Sequence, residues 1–118
     1  FQAYNKVDVS LDPFPYTGVT TSVESLWMGV PVLTLSGDRF LSRHGEQILM
    51  NADLSDWISN NKEEYVIKAE KLTFNLNKLA LLRSGLRNQV LNSPLFNASR
   101  FAKNFEKALW GIWKQQKK

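Results

Sequence analysis

Residues 12–27 read Asp12-Pro13-Phe14-Pro15-Tyr16-Thr17-Gly18-Val19-Thr20-Thr21-Ser22-Val23-Glu24-Ser25-Leu26-Trp27. This stretch decides the fold. Before it, Val7, Val9 and Leu11 alternate with Asp8 and Ser10, the period-two pattern of a short strand over 7–11. Pro13, Pro15 and Gly18 then mark a loop that proline stiffens and glycine lets turn. Beyond the loop, Val23, Leu26, Trp27 and Val30 recur at helical spacing, so a helix follows, with Thr20 or Thr21 as its expected cap. Gly29 supplies a left-handed stop and Pro31 lies just past it. Val32, Leu33, Thr34 and Leu35 form a compact apolar run, the pattern of a strand buried on both faces of a parallel sheet. Strand, loop, helix, strand is the crossover unit of an α/β fold.

The rest of the chain reads as helical. A second helix is expected over 40–51. Residues 53–61 form a mixed segment anchored by Leu54, Trp57 and Ile58. After Asn60 and Asn61, one apolar stripe runs through Tyr65, Ala69 and Leu72, and another through Leu76, Leu79, Leu82 and Leu86, with Asn75 as a cap between them. Ser93-Pro94 breaks the run. A last helix over 98–114 carries Phe101, Phe105, Leu109, Ile112 and Trp113 on one face. Trp27, Trp57 and Trp113 are expected to fill the core. The fold class is therefore α/β, a partial Rossmann-like sheet of parallel strands followed by C-terminal helices. Two strands are legible, fewer than the four to six of a complete doubly wound sheet. The remaining strands are expected upstream, as is a longer protein around this piece.

Bulk properties narrow the function. The chain has 118 residues, which suits one domain over 1–118. It is 43% hydrophobic, enough for a packed core rather than a disordered segment. It has no cysteine, which excludes a disulfide framework, a thiolate metal site and a thiol nucleophile. Its single histidine, His44, makes no metal site alone. The formal charge is +4, concentrated towards the C-terminus at Lys114, Lys117 and Lys118. Such a balance suits a solvated basic surface, and no nucleic-acid motif accompanies it. No apolar run approaches the ~20 residues of a membrane span. Neither nucleic acid nor a membrane is expected as a partner, and a cytoplasmic location is expected.

Chemistry concentrates where the first strand ends and the helix begins. In open α/β sheets that edge binds ligands. The first amides of a helix lack internal partners, and with the helix dipole they favour an anion. Gly18 permits close backbone approach, and the Thr20 and Thr21 hydroxyls add donors. Glu24 stands one turn further on. A carboxylate there can accept hydrogen bonds from sugar hydroxyls near a bound phosphate. Taken alone, Thr-Thr before a helix also fits a cap and nothing more. The stretch is not a P-loop, since no Gly-Lys-Ser/Thr follows.

Residues 12–35, with Gly-x-Thr-Thr, Leu-Trp-x-Gly-x-Pro-Val and Val-Leu-Thr-Leu, resemble the C-terminal catalytic region of the O-GlcNAc-transferase/SPINDLY family. Gly37-Asp38-Arg39 with Ser42-Arg43, Glu64-Tyr65 and Ser93-Pro94-Leu95-Phe96 continue the resemblance, and so does the closing aromatic helix. It implies a GT-B glycosyltransferase of two Rossmann-like lobes, usually preceded by tetratricopeptide repeats. That family transfers N-acetylglucosamine, or a related sugar, from a nucleotide donor to Ser or Thr of proteins. Carried over, Gly18, Thr20 and Thr21 hold the donor diphosphate and Glu24 the ribose. Val19 stands where members often carry a polar residue, including His. Arg43 is a further residue near the site. No residue of this chain is implied as the catalytic base, and a lysine and a histidine for the donor are expected before Phe1. No cofactor and no metal are implied; the UDP-sugar is the donor substrate. UDP-glucose or GDP-fucose as donor, or a non-catalytic interaction domain, are the alternatives. Asp12 is expected to shape the proline-rich turn, His44 to have a surface or helix-packing role on the second helix, and the Ser42-Arg43 pair to help fix the loop after the second strand.

Overall fold

A computed structural model describes residues 1–117. Three parallel strands carry the fold: β1 (Ser10–Leu11), β2 (Val32–Leu35) and β3 (Ile58–Ser59), in the order β1-β2-β3. Ser10 lies opposite Val32 and Leu11 opposite Leu33. On the other edge, Thr34 lies opposite Ile58 and Leu35 opposite Ser59. β2 is thus the central strand, which explains why its Val32, Leu33 and Thr34 are all buried.

The helices are α1 (Thr20–Trp27), α2 (His44–Asn51), α3 (Lys62–Phe74), α4 (Leu76–Leu91) and α5 (Ala98–Gln116). α1 links β1 to β2, as the apolar spacing predicts. It ends at Met28, with Gly29 at a φ of 76°, the left-handed stop. Asn61 and Asn75 cap α3 and α4 by accepting from the Glu64 and Lys78 amides. A single 3-10 turn over Pro94–Phe96 separates α4 from α5, where Ser93-Pro94 predicted the break.

The core joins Leu26 of α1, Val32 and Leu33 of β2, Ile48 and Leu49 of α2, Trp57 and Ile58 around β3, and Leu79, Leu86 and Val90 of α4. Leu54 joins it from the mixed segment, as expected.

Five expectations need correction. First, the opening strand is two residues long rather than five. Gln2–Lys6 coil into a 3-10 turn. β2 offers a ladder only from Val32, because Pro31 has no amide to donate; its carbonyl accepts from the Ser10 amide. Second, neither Thr20 nor Thr21 caps α1. Val19 is the N-cap, and no side chain fills that role. Third, the segment 40–51 is not one helix. Ser42 Oγ accepts from the Arg39 amide and donates to its carbonyl, closing a 3-10 turn over Phe40–Ser42. Of the pair, Ser42 fixes the loop after β2, where the Gly37 amide donates to its carbonyl. Fourth, there is a third strand, β3, too short to show a period. Fifth, Trp57 is buried, but Trp27 is 40% and Trp113 54% exposed. Trp113 shares the exposure of all α5, whose apolar face meets no core among the described residues.

Candidate functional site

The loop over 12–19 leaves the carboxyl end of β1 and delivers α1, and Asp12 organises it. Asp12 is 3% exposed. Its Oδ1 accepts from the Gly18 amide at 2.8 Å, drawing the loop into a closed turn. Its Oδ2 accepts from Thr34 Oγ1 on β2 at 2.7 Å. Its carbonyl accepts from Tyr65 Oη on α3 at 3.1 Å. Burial raises the carboxyl pKa above its ordinary 3.8, and the Gly18 and Thr34 hydrogen bonds pull the other way. Burial also raises the Tyr65 phenol, helped by the Asp12 charge.

Thr17 pins the far side of the loop. It is fully buried, donates to the Leu41 carbonyl at 3.3 Å and accepts from the Gly45 amide at 3.2 Å. Gly45 is there because nothing larger fits. A Cβ would lie 2.2 Å from Thr34 Oγ1 and 2.5 Å from Asp12 Oδ2. Outside, Phe14 meets Tyr65 edge-on at 5.7 Å, next to a cis Phe14–Pro15 peptide.

On this frame sits the exposed start of α1. The first amide bonded within the helix is that of Val23, to the Val19 carbonyl at 3.1 Å. The amides of Thr20, Thr21 and Ser22 precede it and so have no partner within the helix. Thr20 and Thr21 are both exposed. A Cβ on Gly18 would lie 2.6 Å from Thr21 Oγ1 and 2.7 Å from Ser22 Oγ, so hydroxyls converge on its open Cα. The Gly18 amide itself is engaged by Asp12. Gly18 therefore contributes room beside the helix start rather than a donor.

Thr20, Val19, Val23, Glu24 and Trp27 line an open groove of about 450 Å³ with Phe1 and Phe96. The structure thus brings Thr20 and Glu24 to one groove, while Gly18 and Thr21, the chain neighbours of Val19 and Thr20, are not part of its lining. It does not bring Arg43 there. Arg43 precedes α2 and pairs with Glu46 at 3.3 Å, where Ser36 Oγ also donates to the Glu46 carboxylate. That hydroxyl, then Arg43, holds Glu46 below its ordinary 4.5, against the opposing effect of burial. His44 is half-buried and meets Phe40 edge-on at 4.7 Å, a packing role.

Sequence reasoning missed Thr17, Thr34, Gly45 and Tyr65. One signal was available for Thr34: a hydroxyl inside an apolar strand has to find a buried partner. That partner is Asp12, 22 residues earlier in the sequence.

An open parallel α/β sheet with an unpartnered helix start at its carboxyl edge defines a class of ligand-binding folds. The family model described as glycosyl transferase family 41 matches residues 4–105. The chain belongs to that family. It is 38% identical over 97% of its length to a probable UDP-N-acetylglucosamine–peptide N-acetylglucosaminyltransferase SPINDLY of Solanum lycopersicum. A protein of the same description from Arabidopsis thaliana is 39% identical over the same share. The chain spans 12% of the length of each. Among solved structures, an O-GlcNAc transferase mutant of Thermobaculum terrenum superposes with a TM-score of 0.86 at 38% identity, covering 97% of this chain and 22% of that one. No helix among the described residues is long and apolar enough to cross a membrane.

Proposed function

We propose that this chain binds the diphosphate and ribose of a nucleotide sugar, within a protein O-glycosyltransferase that moves N-acetylglucosamine from UDP-GlcNAc to Ser or Thr of proteins. One observation carries the proposal: the bare start of α1, at the carboxyl end of β1, shares its groove with Glu24. Unpaired amides and the Thr20 and Thr21 hydroxyls suit the negative diphosphate. Glu24, a turn further along, suits the ribose hydroxyls, which donate to a carboxylate without bringing a second negative charge. The activity named for the relatives and the Gly-x-Thr-Thr element support the same assignment.

In this reading the chain is the C-terminal part of the donor-binding lobe of a GT-B enzyme. A second lobe, with tetratricopeptide repeats before it, supplies the base and the acceptor groove, and the enzyme works in the cytoplasm. The chain's own work is orientation of the donor and stabilisation of the charge that develops on the leaving diphosphate. Asp12, Thr17 and Thr34 hold the loop so that no reorganisation is needed at that moment. By itself the chain does not turn over substrate.

The test is a UDP titration of the full-length protein. Thr21→Ala and Glu24→Ala each weaken UDP binding, by about tenfold for a lost hydrogen bond to a charged group. Unchanged affinity in both would refute the assignment. A donor panel with UDP-GlcNAc, UDP-glucose and GDP-fucose, read by mass spectrometry of the acceptor, fixes the sugar. No transfer from any donor by the full-length protein would favour a non-catalytic interaction domain.

A further inference from the structure

The opposite end of α1 is gripped by two arginines of α4. Arg83 Nε donates to the Gly29 carbonyl at 3.1 Å, and its Nη1 pairs with Asp8 Oδ1 at 2.8 Å. Arg87 Nε donates to the Trp27 carbonyl, and its guanidinium lies 5.4 Å from the centre of the Trp27 ring. The last carbonyls of a helix have no partner within it and carry the negative end of its dipole. Here two guanidiniums, each a planar fork of donors, satisfy two carbonyls in the turn that ends α1.

We infer that Arg83 and Arg87 are positioning residues for the donor site, acting through α1. The inference rests on the diphosphate reading of that helix. Three observations carry it. α1 has eight residues, about 12 Å of helix, so a tilt at one end moves the other. Its N-terminal end has no side-chain cap of its own and is steadied from outside, through the Asp12-bound turn at Gly18. Trp27, over whose ring the Arg87 guanidinium sits, lines the same groove as Glu24 and meets Phe96 at 5.7 Å. Arg83 also ties Asp8, just before β1, to Gly29, just after α1, so both ends of the crossover answer to α4. Charge acts in the same direction as geometry. A cation at the carboxyl end of α1 offsets the negative pole there and leaves the potential along the helix more favourable to an anion at its start.

The test uses the full-length protein with UDP and uridine as probes, with GDP and guanosine in parallel. Arg87→Gln and Arg83→Gln are expected to weaken binding of the diphosphate about three- to tenfold, a coupling of the usual size between linked sites. Binding of the bare nucleoside, which has no group for the helix start, stays within about twofold. Arg87→Lys keeps the charge without the planar fork of donors and falls between Arg87→Gln and wild type. It also serves if Arg87→Gln does not fold. Gln89→Ala is the control. Gln89 lies on the same helix and holds the Ala52 and Asp53 carbonyls, away from α1. It lowers the melting temperature and leaves nucleotide binding unchanged.

Equal diphosphate affinity in the arginine variants overturns the inference, while a loss in Thr21→Ala keeps the donor site standing. Parallel loss for nucleoside and diphosphate, or an equal loss in Gln89→Ala, also overturns it, since a general loosening of the fold then suffices. If the wild-type protein binds neither UDP nor GDP, the donor reading falls first and the inference with it.

Discussion

Thr34 and Asp12, buried at neighbouring strand ends and 22 residues apart in sequence, are joined by a 2.7 Å hydrogen bond from the threonine hydroxyl to the carboxylate. The other carboxylate oxygen holds the Gly18 amide. One acid thus fastens the central strand to the turn that precedes α1. A buried charge is costly unless it is hydrogen-bonded, and here both oxygens are.

Asp12→Ala is expected to cost about 2–4 kcal/mol, because it leaves a half-buried amide and a buried hydroxyl unpaired. Asp12→Asn keeps an acceptor for Gly18 and a donor for Thr34, whose hydroxyl can rotate to accept. The two proteins differ in pH dependence. The Asp12 carboxyl has a folded pKa above its unfolded value of 3.8. Its contribution to stability is therefore fully present below 3.8 and is lost as pH rises through the folded value. Urea unfolding from pH 3.5 upward should show Asp12→Asn gaining on wild type over that window. A pH-independent gap between them would contradict the burial assigned to this carboxyl.

Gly45 and Gly85 should respond to alanine with opposite signs. At Gly45 the added carbon meets Thr34 Oγ1 and Asp12 Oδ2 well inside contact distance. Relief requires breaking the Asp12–Thr34 bond, so Gly45→Ala costs about 3 kcal/mol or more. Gly85 lies inside α4 with nothing within 4 Å of the added carbon. Gly85→Ala should stabilise by about 0.5–1 kcal/mol through helix propensity alone. Thermal melts of the pair, read side by side, check both signs.

The crossover from β1 to β2 was legible because its signals are local. Helical spacing from Val23, the stop at Gly29 and the apolar run from Val32 all lie within a few residues of one another. The segment before Ser10 misled, since alternation at Val7, Val9 and Leu11 says nothing of whether a partner strand reaches that far. β3 left no trace, because Ile58 and Ser59 are too few to show a period, and only pairing with Thr34 and Leu35 makes them a strand. The chemistry of the site divides in the same way. Gly18, Thr20, Thr21 and Glu24 fall in one short motif. Thr17 bonds to Gly45 across 28 residues, and Tyr65 to Asp12 across 53. Such pairings follow from sheet order, which no local pattern specifies. Trp27 and Trp113 were misplaced because an indole at helical spacing marks an apolar face without saying what covers it.

Glu46 gives a pH signature opposite to that of Asp12. The Ser36 hydroxyl, then Arg43, holds its folded pKa below 4.5. Its contribution is therefore present above 4.5 and is lost as pH falls through the folded value. The side chain is 28% exposed, so the contribution is under about 1 kcal/mol. Ser36→Ala removes the larger cause. The deficit of Ser36→Ala relative to wild type should be visible at pH 6 and shrink as the pH drops below 4. A deficit that persists at pH 3 would show that Ser36 acts by packing and not through Glu46.

Gly18→Ala separates the room at the helix start from the donors around it. The Gly18 amide is committed to Asp12, and alanine retains it, so the turn itself keeps its hydrogen bond. What changes is the space over Cα. The new methyl lies 2.6 Å from Thr21 Oγ1 and 2.7 Å from Ser22 Oγ. Thr21 can relieve its clash by turning its hydroxyl away, and the buried Ser22 hydroxyl has to shift as well, which leaves the fold about 1–2 kcal/mol less stable. A phosphate on the bare amides of α1 would then lose a donor and meet a methyl group. UDP affinity of the full-length protein is expected to fall at least as far in Gly18→Ala as in Thr21→Ala. The double variant should fall little further, because the two changes remove the same hydroxyl. Additive losses in the double variant would mean that Gly18 and Thr21 serve the ligand independently, and the convergence of hydroxyls on Gly18 would then be incidental to binding.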